Sequence, residues 1–382
     1  MLRGVAMRAL AAAMLAVLLL ASAAGSRPTP VTRILQTLAF SSPQSGYGLV
    51  DDEGARTCVD RVGLSGDGGA RFALVGTVAA WRCAGGAPVA QLAFDGRGDG
   101  FAYGPGLFVS HDGGRSWARS PQPGSVLAVS ALGESVWMVE EDCARGRSLT
   151  CPMALLESAD GGRTWRPAPR QPPGALAARY GEPALGQDWL VRVSAGTAYV
   201  LSSPPRGALY VPLWSTSDGG ASWAARRIPC GGALSVVASV APDGALVAVC
   251  AGEPGAGSQA KWSAVSTDGG RTWSVHPRCE IIACQPAALV GGYLGEVDAV
   301  SASTFYVIGD RSPLIVTRDG GVSWRRYDDV GNVNGLPAQV QFFGPRDGIV
   351  LGQSNTSTAP VTIWHTDDAG ANWTAVTPTF SG

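Results

Sequence analysis

The chain has 382 residues with 29 Lys and Arg against 30 Asp and Glu, a formal net charge of −1. With no basic stripe in the sequence, nucleic acid is excluded as a partner. An apolar fraction of 46 % supports a large core, while 52 Gly and 26 Pro demand many turns.

The N-terminus reads as a secretory leader over residues 1–24. Arg3 and Arg8 give a positive start, residues 9–20 are uninterruptedly apolar, and Ala21-Ser-Ala23 and Ser22-Ala-Ala24 offer small-residue cleavage sites. The apolar run is marginal for spanning a bilayer. A secreted, extracytoplasmic protein with no membrane attachment after leader removal is the expectation, with an uncleaved anchor as the alternative.

Beyond the leader one phrase recurs seven times: Ser or Thr, any residue, Asp, Gly or Ala, Gly, any residue, a hydroxyl or similar residue, then an aromatic. Its aspartates are Asp67, Asp112, Asp160, Asp218, Asp268, Asp319 and Asp368. The steps between them are 45, 48, 58, 50, 51 and 49 residues. Six copies close on tryptophan: Trp117, Trp165, Trp223, Trp273, Trp324 and Trp373; the first closes on Phe72. A period of roughly 40–50 residues fits one four-stranded propeller blade.

The runs around each phrase read as short strands bounded by Gly, Pro, Asp and Ser. Blade 1 is expected at 34–40, 47–50, 60–64 and 72–75. Blade 5 is expected at 234–240, 245–250, 262–266 and 273–276. Blade 6 follows at 297–300, 305–308, 314–317 and 324–327, and blade 7 at 339–343, 348–352, 361–365 and 373–376. The fold class is therefore all-β: a seven-bladed β-propeller of four-stranded antiparallel blades over residues 31–378, with the recurring turn between the third and fourth strands.

The turn has a physical logic. Asp-Gly-Gly between apolar runs reverses the chain, because glycine reaches positive φ without a Cβ penalty. The carboxylate can accept backbone N–H bonds inside the turn. The aromatic that closes it buries apolar surface between blades. All these residues are expected to be scaffold.

Eight cysteines follow the leader: Cys58, Cys83, Cys143, Cys151, Cys230, Cys250, Cys279 and Cys284. An even count in an exported chain favours disulfides. Sequence proximity suggests 58–83, 143–151, 230–250 and 279–284 among the many pairings open to eight cysteines. A metal site has little support, since no C-x-x-C occurs and His111, His276 and His365 are scattered. No cofactor is expected.

The phrase resembles the Asp-box, or BNR, repeat of sialidases, sortilin ectodomains, xyloglucan-cleaving hydrolases and photosystem II assembly factors. The resemblance covers nearly the whole chain after the leader. Enzymes and non-enzymes share it, so it implies a fold rather than a chemistry. In such propellers a site occupies the face opposite the boxes. The loops expected there are 51–56, 140–150, 166–186, 202–208, 252–260, 277–296, 328–337 and 354–360. Among them Glu140, Glu141, Asp142 and Arg145 are candidate binding residues.

Two functions follow from the resemblance. The sialidase-type reading implies an exo-acting glycoside hydrolase, which needs an arginine triad and a Tyr–Glu nucleophile pair. Arg33, Arg192 and Arg311 are the candidates for the triad, with Tyr180 and Glu182 beside them. Arg33 lies in Thr32-Arg33-Ile34-Leu35, where Leu35 replaces the proline of the sialidase motif. Seven evenly spaced boxes look more like the assembly-factor and sortilin class. That reading implies a non-catalytic propeller presenting a binding face to a protein, peptide or glycan. It is the preferred expectation, with a monomer implied because a closed ring has no free central edge.

Overall fold

In the computed structural model, residues 31–382 are described except 123, 143–149, 174–176, 180–189, 203–207, 256–257, 277–291, 311, 329, 331–334 and 355–360. Apart from a single turn of 3-10 helix at Cys83–Gly85, the regular structure among the described residues is strand.

Seven antiparallel sheets follow one another along the chain, each meandering from an inner to an outer strand. Blade 1 is Thr32–Phe40, Gly46–Glu53, Thr57–Ser65 and Arg71–Arg82. Blade 2 is Gln91–Phe94, Gly100–Tyr103, Leu107–Ser110 and Ala118–Ser120. Blade 3 is Ser125–Leu132, Ser135–Glu141, Thr150–Ser158 and Arg166–Pro167. Blade 4 is Leu190–Arg192, Ala198–Leu201, Val211–Thr216 and Ala224–Ile228. Blade 5 is Ser235–Val240, Leu246–Gly255, Ser258–Ser266 and Ser274–Val275. Blade 6 is Tyr293–Ala299, Phe305–Asp310, Ser312–Thr317 and Arg325–Tyr327. Blade 7 is Gly335–Phe342, Gly348–Ser354, Thr362–Thr366 and Thr374–Val376. The propeller expected from the repeat is the fold found.

Two short strands complete the sheets. Ala177–Arg179 pairs with the start of the third strand of blade 3, at Thr150–Pro152. Thr379–Ser381 runs parallel to Arg71–Ala73 on the outer edge of blade 1, so the end of the chain fastens onto its first blade.

Seven hydrophobic clusters lie between successive blades, and each contains one box aromatic. Phe72 packs with Leu35, Leu38, Ile349 and Leu351 between blades 7 and 1. Trp117 joins Leu49, Val62 and Leu92 between blades 1 and 2. Trp165, Trp223, Trp273, Trp324 and Trp373 repeat this arrangement around the ring. Burial here is distributed: no single core exists, and each blade is stabilised by its two neighbours. The outer strands begin one residue after the tryptophan, not at it. The indole instead tucks beneath its own turn, and in three boxes its Nε1 donates to a box glycine carbonyl.

The boxes share one hydrogen-bond scheme. The leading hydroxyl of Ser65, Ser110, Ser158, Thr216, Ser266, Thr317 or Thr366 donates to the aspartate Oδ1 at 2.7–3.0 Å. The hydroxyl oxygen itself accepts the N–H of the second glycine at 2.8–3.0 Å. The backbone N–H four residues after the aspartate closes the turn onto Oδ1. Both turn glycines take positive φ, and Ala369 of the seventh box holds φ 61° where the other boxes have glycine.

Two of the four expected disulfides are formed by described residues. Cys58–Cys83 ties the third strand of blade 1 to the end of its fourth. Cys230–Cys250 ties the chain leaving blade 4 to the second strand of blade 5. Cys151 is disulfide-bonded; Cys143, Cys279 and Cys284 lie outside the described residues.

Candidate functional site

A cavity of about 650 Å³ occupies the axis of the ring. Residues of all seven inner strands wall it, from Leu38 of blade 1 to Val340 of blade 7. The first–second strand turns Ser41–Ser45 and Gly96–Gly98 also line it. Those turns lie at the same end as the boxes, because first–second and third–fourth connections of a meander share an edge. Box N–H groups donate across that edge: Gly68 to Gln44 O, Gly113 to Gly98 O and Gly161 to Glu134 O.

The polar groups of the channel wall are spent on neighbouring blades. Gln339 of blade 7 accepts from Leu38 N at 2.8 Å and donates to Leu38 O at 2.9 Å, while Gln341 donates to Phe40 O. Glu296 and Asp298 of blade 6 accept the backbone N–H groups of Val340 and Phe342. Ser239 of blade 5 accepts from Ala299 N of blade 6. These latches replace the edge-to-edge pairing that inner strands of different blades cannot make. Burial pushes the Asp298 carboxyl up to about 6.

Arg192 belongs to the same set. Its guanidinium lies 4.4 Å over the Trp137 ring, and it donates to Ser135 O at 2.8 Å and Ser135 Oγ at 3.0 Å. Burial lowers its pKa to about 10. Arg33 pairs elsewhere: its Nε sits 3.0 Å from Asp52 Oδ1, and Asp52 also meets Arg61. The partners of Arg33 and Arg192 are disjoint, so these two arginines form no common clamp. Arg311, Tyr180 and Glu182 lie outside the described residues.

Of the candidate binding residues, Glu140 is buried and accepts the Gly124 N–H at 2.6 Å. Burial raises the pKa of both Glu140 and Glu141. Asp142 continues the strand edge by donating its N–H to Pro152 O. Arg145 lies outside the described residues.

The box carboxylates point into their own turns. Side-chain and backbone bonds from Ser116 hold the Asp112 carboxyl down at about 2, and Ser222 does the same for Asp218. A carboxylate saturated with donors is a poor base and a poor nucleophile. On this end of the ring a smaller crevice of about 270 Å³ lies between the boxes of blades 4 and 5, bordered by Tyr199, Arg226 and Arg271.

Three further groups escaped the sequence reading. Lys261 is 3 % exposed and donates to Gly292 O, and burial lowers its pKa to about 8. Asp51 and Asp60 are buried in blade 1. Their signal was present, since a charged residue inside an apolar, alternating strand marks a special environment. No group of three or more His, Cys, Asp or Glu among the described residues could hold a metal ion.

Fold and site together define a seven-bladed β-propeller carrying BNR/Asp-box repeats. The BNR/Asp-box repeat profile matches residues 264–275, which span the fifth box. The photosystem II assembly protein Ycf48 of Synechococcus sp. (strain JA-2-3B'a(2-13)) is 26 % identical over 212 residues. That match covers 46 % of this chain and 58 % of the relative's length. A solved structure of YCF48 bound to D1 peptide superposes with a TM-score of 0.57 at 19 % identity, covering 90 % of this chain and 96 % of that one. YCF48 from Cyanidioschyzon merolae gives 0.55 at 17 %, covering 90 % and 98 %. These two likenesses concern the fold.

Proposed function

We propose that this chain is a secreted, non-catalytic propeller that presents a binding face to a protein or peptide partner. The observation that carries the reading is the state of the channel wall. Arg192, Glu296, Asp298, Gln339 and Gln341 direct their hydrogen bonds to backbone or side chains of adjacent blades. A hydrolase needs such groups turned toward substrate. The similarity to a propeller solved with a bound peptide supports the same reading.

The face used is the one opposite the boxes. The box end is monotonous, repeating one turn seven times. The connections at the other end vary in length: three residues separate Tyr103 from Leu107, and eight separate Glu141 from Thr150. Variable loops on a rigid scaffold are where recognition concentrates. The leader-like segment 1–24 directs the chain out of the cytoplasm in this reading.

A photo-crosslinking amino acid placed at Arg56, on the variable end, or at Arg115, on the box end, tests the proposal. In native extract, a discrete protein adduct is expected from position 56 and none from position 115. Adducts from 115 alone would overturn the choice of face. Release of fluorophore from a sialic-acid conjugate by the purified protein would overturn the non-catalytic reading.

A further inference from the structure

Blade 1 holds two carboxylic acids that no box requires. Asp51 and Asp60 stand directly opposite each other on the second and third strands. Residues so paired keep their Cβ atoms about 4.5–5.5 Å apart. Asp51 is 6 % exposed and Asp60 is fully buried. By strand alternation they share the sheet face of Leu49 and Val62, which belong to the core between blades 1 and 2.

Two of their four oxygens accept side-chain N–H bonds. Asp51 Oδ2 accepts from Gln36 Nε2 at 3.0 Å, and Asp60 Oδ1 accepts from Trp81 Nε1 at 3.0 Å. Asp60 Oδ2 is buried and receives no N–H. Among the described residues the surroundings offer no compensating cation. From the first strand, Arg33 is engaged by Asp52, as is Arg61 from the third. On the second strand Asp52 adds negative charge, and Glu53 lies two residues along. Trp81 on the fourth strand is a neutral donor, and Arg82 beside it is exposed. The blade 2 residues of this core, Val89, Leu92 and Ala102, are apolar.

Two adjacent buried carboxylates without a cation cannot both ionise at little cost. Burial first, then the Asp60 carboxyl, hold Asp51 well above the ordinary carboxylate range, at about 8.

We propose that Asp51 remains protonated in the native protein, donates from Oδ1 to Asp60 Oδ2, and so locks the hairpin between the second and third strands of blade 1 with a single shared proton. The lock weakens as the medium turns from acid to mildly alkaline. An opened hairpin releases this proton near pH 4, whereas the closed one holds it to about pH 8. The stabilisation is therefore complete below about pH 4, declines between 4 and 8, and is level above. The tip of this hairpin, at Gly54–Arg56, lies beside Cys58–Cys83 on the variable end of the ring.

Amide hydrogen exchange on the full chain, corrected for intrinsic rates, tests the lock. Between pH 5 and 8 the opening of amides in 47–64 is expected to rise by up to about tenfold per pH unit, the slope of one proton. Amides of Ala198–Leu201, on the second strand of blade 4, supply the reference and are expected to show no such slope. Asp51→Asn keeps a donor toward Asp60 without an ionisable proton, and its blade 1 slope is expected to vanish. A wild-type slope no steeper in blade 1 than in blade 4 would overturn the proposal. So would an Asp51→Asn slope equal to that of the wild type. If Asp51→Asn does not fold, the wild-type comparison alone decides.

Discussion

The aspartates of the boxes and the aspartates inside blade 1 are the same side chain put to opposite uses. A box carboxylate stands at the surface and receives bonds from a leading hydroxyl, a backbone N–H four residues on and, in six boxes, a side chain there too. Those donors hold Asp112, Asp218 and Asp368 near 2. Asp51 and Asp60 lie between apolar blades with fewer donors; burial raises both, and the Asp60 carboxyl raises Asp51 further, so their acidity moves the other way. Donor count and water, not residue type, decide whether an aspartate here is a structural anion or a structural acid.

The contrast is most severely strained by Asp51→Ala. It leaves Asp60 buried without its partner and is expected to cost about 3 kcal/mol by urea unfolding at pH 7. Asp51→Asn, which preserves the donor but has no proton to lose, is expected to stay within about 1 kcal/mol of the wild type at pH 4 and to be the more stable of the two at pH 7. On the box side, Thr317→Ala removes a fully buried hydroxyl that both donates to Asp319 and accepts from Gly321. A loss of about 1–2 kcal/mol is expected in the same assay.

Ala369→Gly probes the one box where a Cβ occupies a left-handed position. It is expected to gain about 1 kcal/mol, visible as a raised Tm. Asp112→Asn should have the smallest effect, and its pH dependence carries the information. The folded carboxyl is depressed, so its contribution is present above about pH 4 and is lost as pH falls toward 2. The gap between wild type and Asp112→Asn in Tm is expected to close below about pH 2. For Asp51→Asn, the gap should instead change between pH 4 and 8.

The propeller was legible because its period is written in the turns, where chemistry and geometry coincide: a leading hydroxyl and Asp-Gly-Gly, or Asp-Ala-Gly in the seventh box, close each reversal. The pairings 58–83 and 230–250 were legible from proximity, since each falls within or next to one blade. The latches were not. Gln339, Glu296 and Asp298 act on strands 44 or about 300 residues away, and nothing local marks them as wall rather than ligand. Arg192 shows the same limit. Its residue type suited a substrate clamp, and only its place over Trp137 gives it a structural role. The closing strand Thr379–Ser381 carries no turn motif and owes its conformation to the blade 1 edge it meets.

Site-resolved carboxyl carbon-13 shifts, followed from pH 2 to 10 in the intact wild-type chain, set both kinds of aspartate side by side. Asp112, Asp218, Asp319 and Asp368 are expected to titrate near 2, and Asp51 only as the pH approaches about 8. An Asp51 midpoint in the ordinary carboxylate range, alongside box aspartates that titrate there too, would contradict the division drawn here between turns that need a charge and a strand pair that needs a proton.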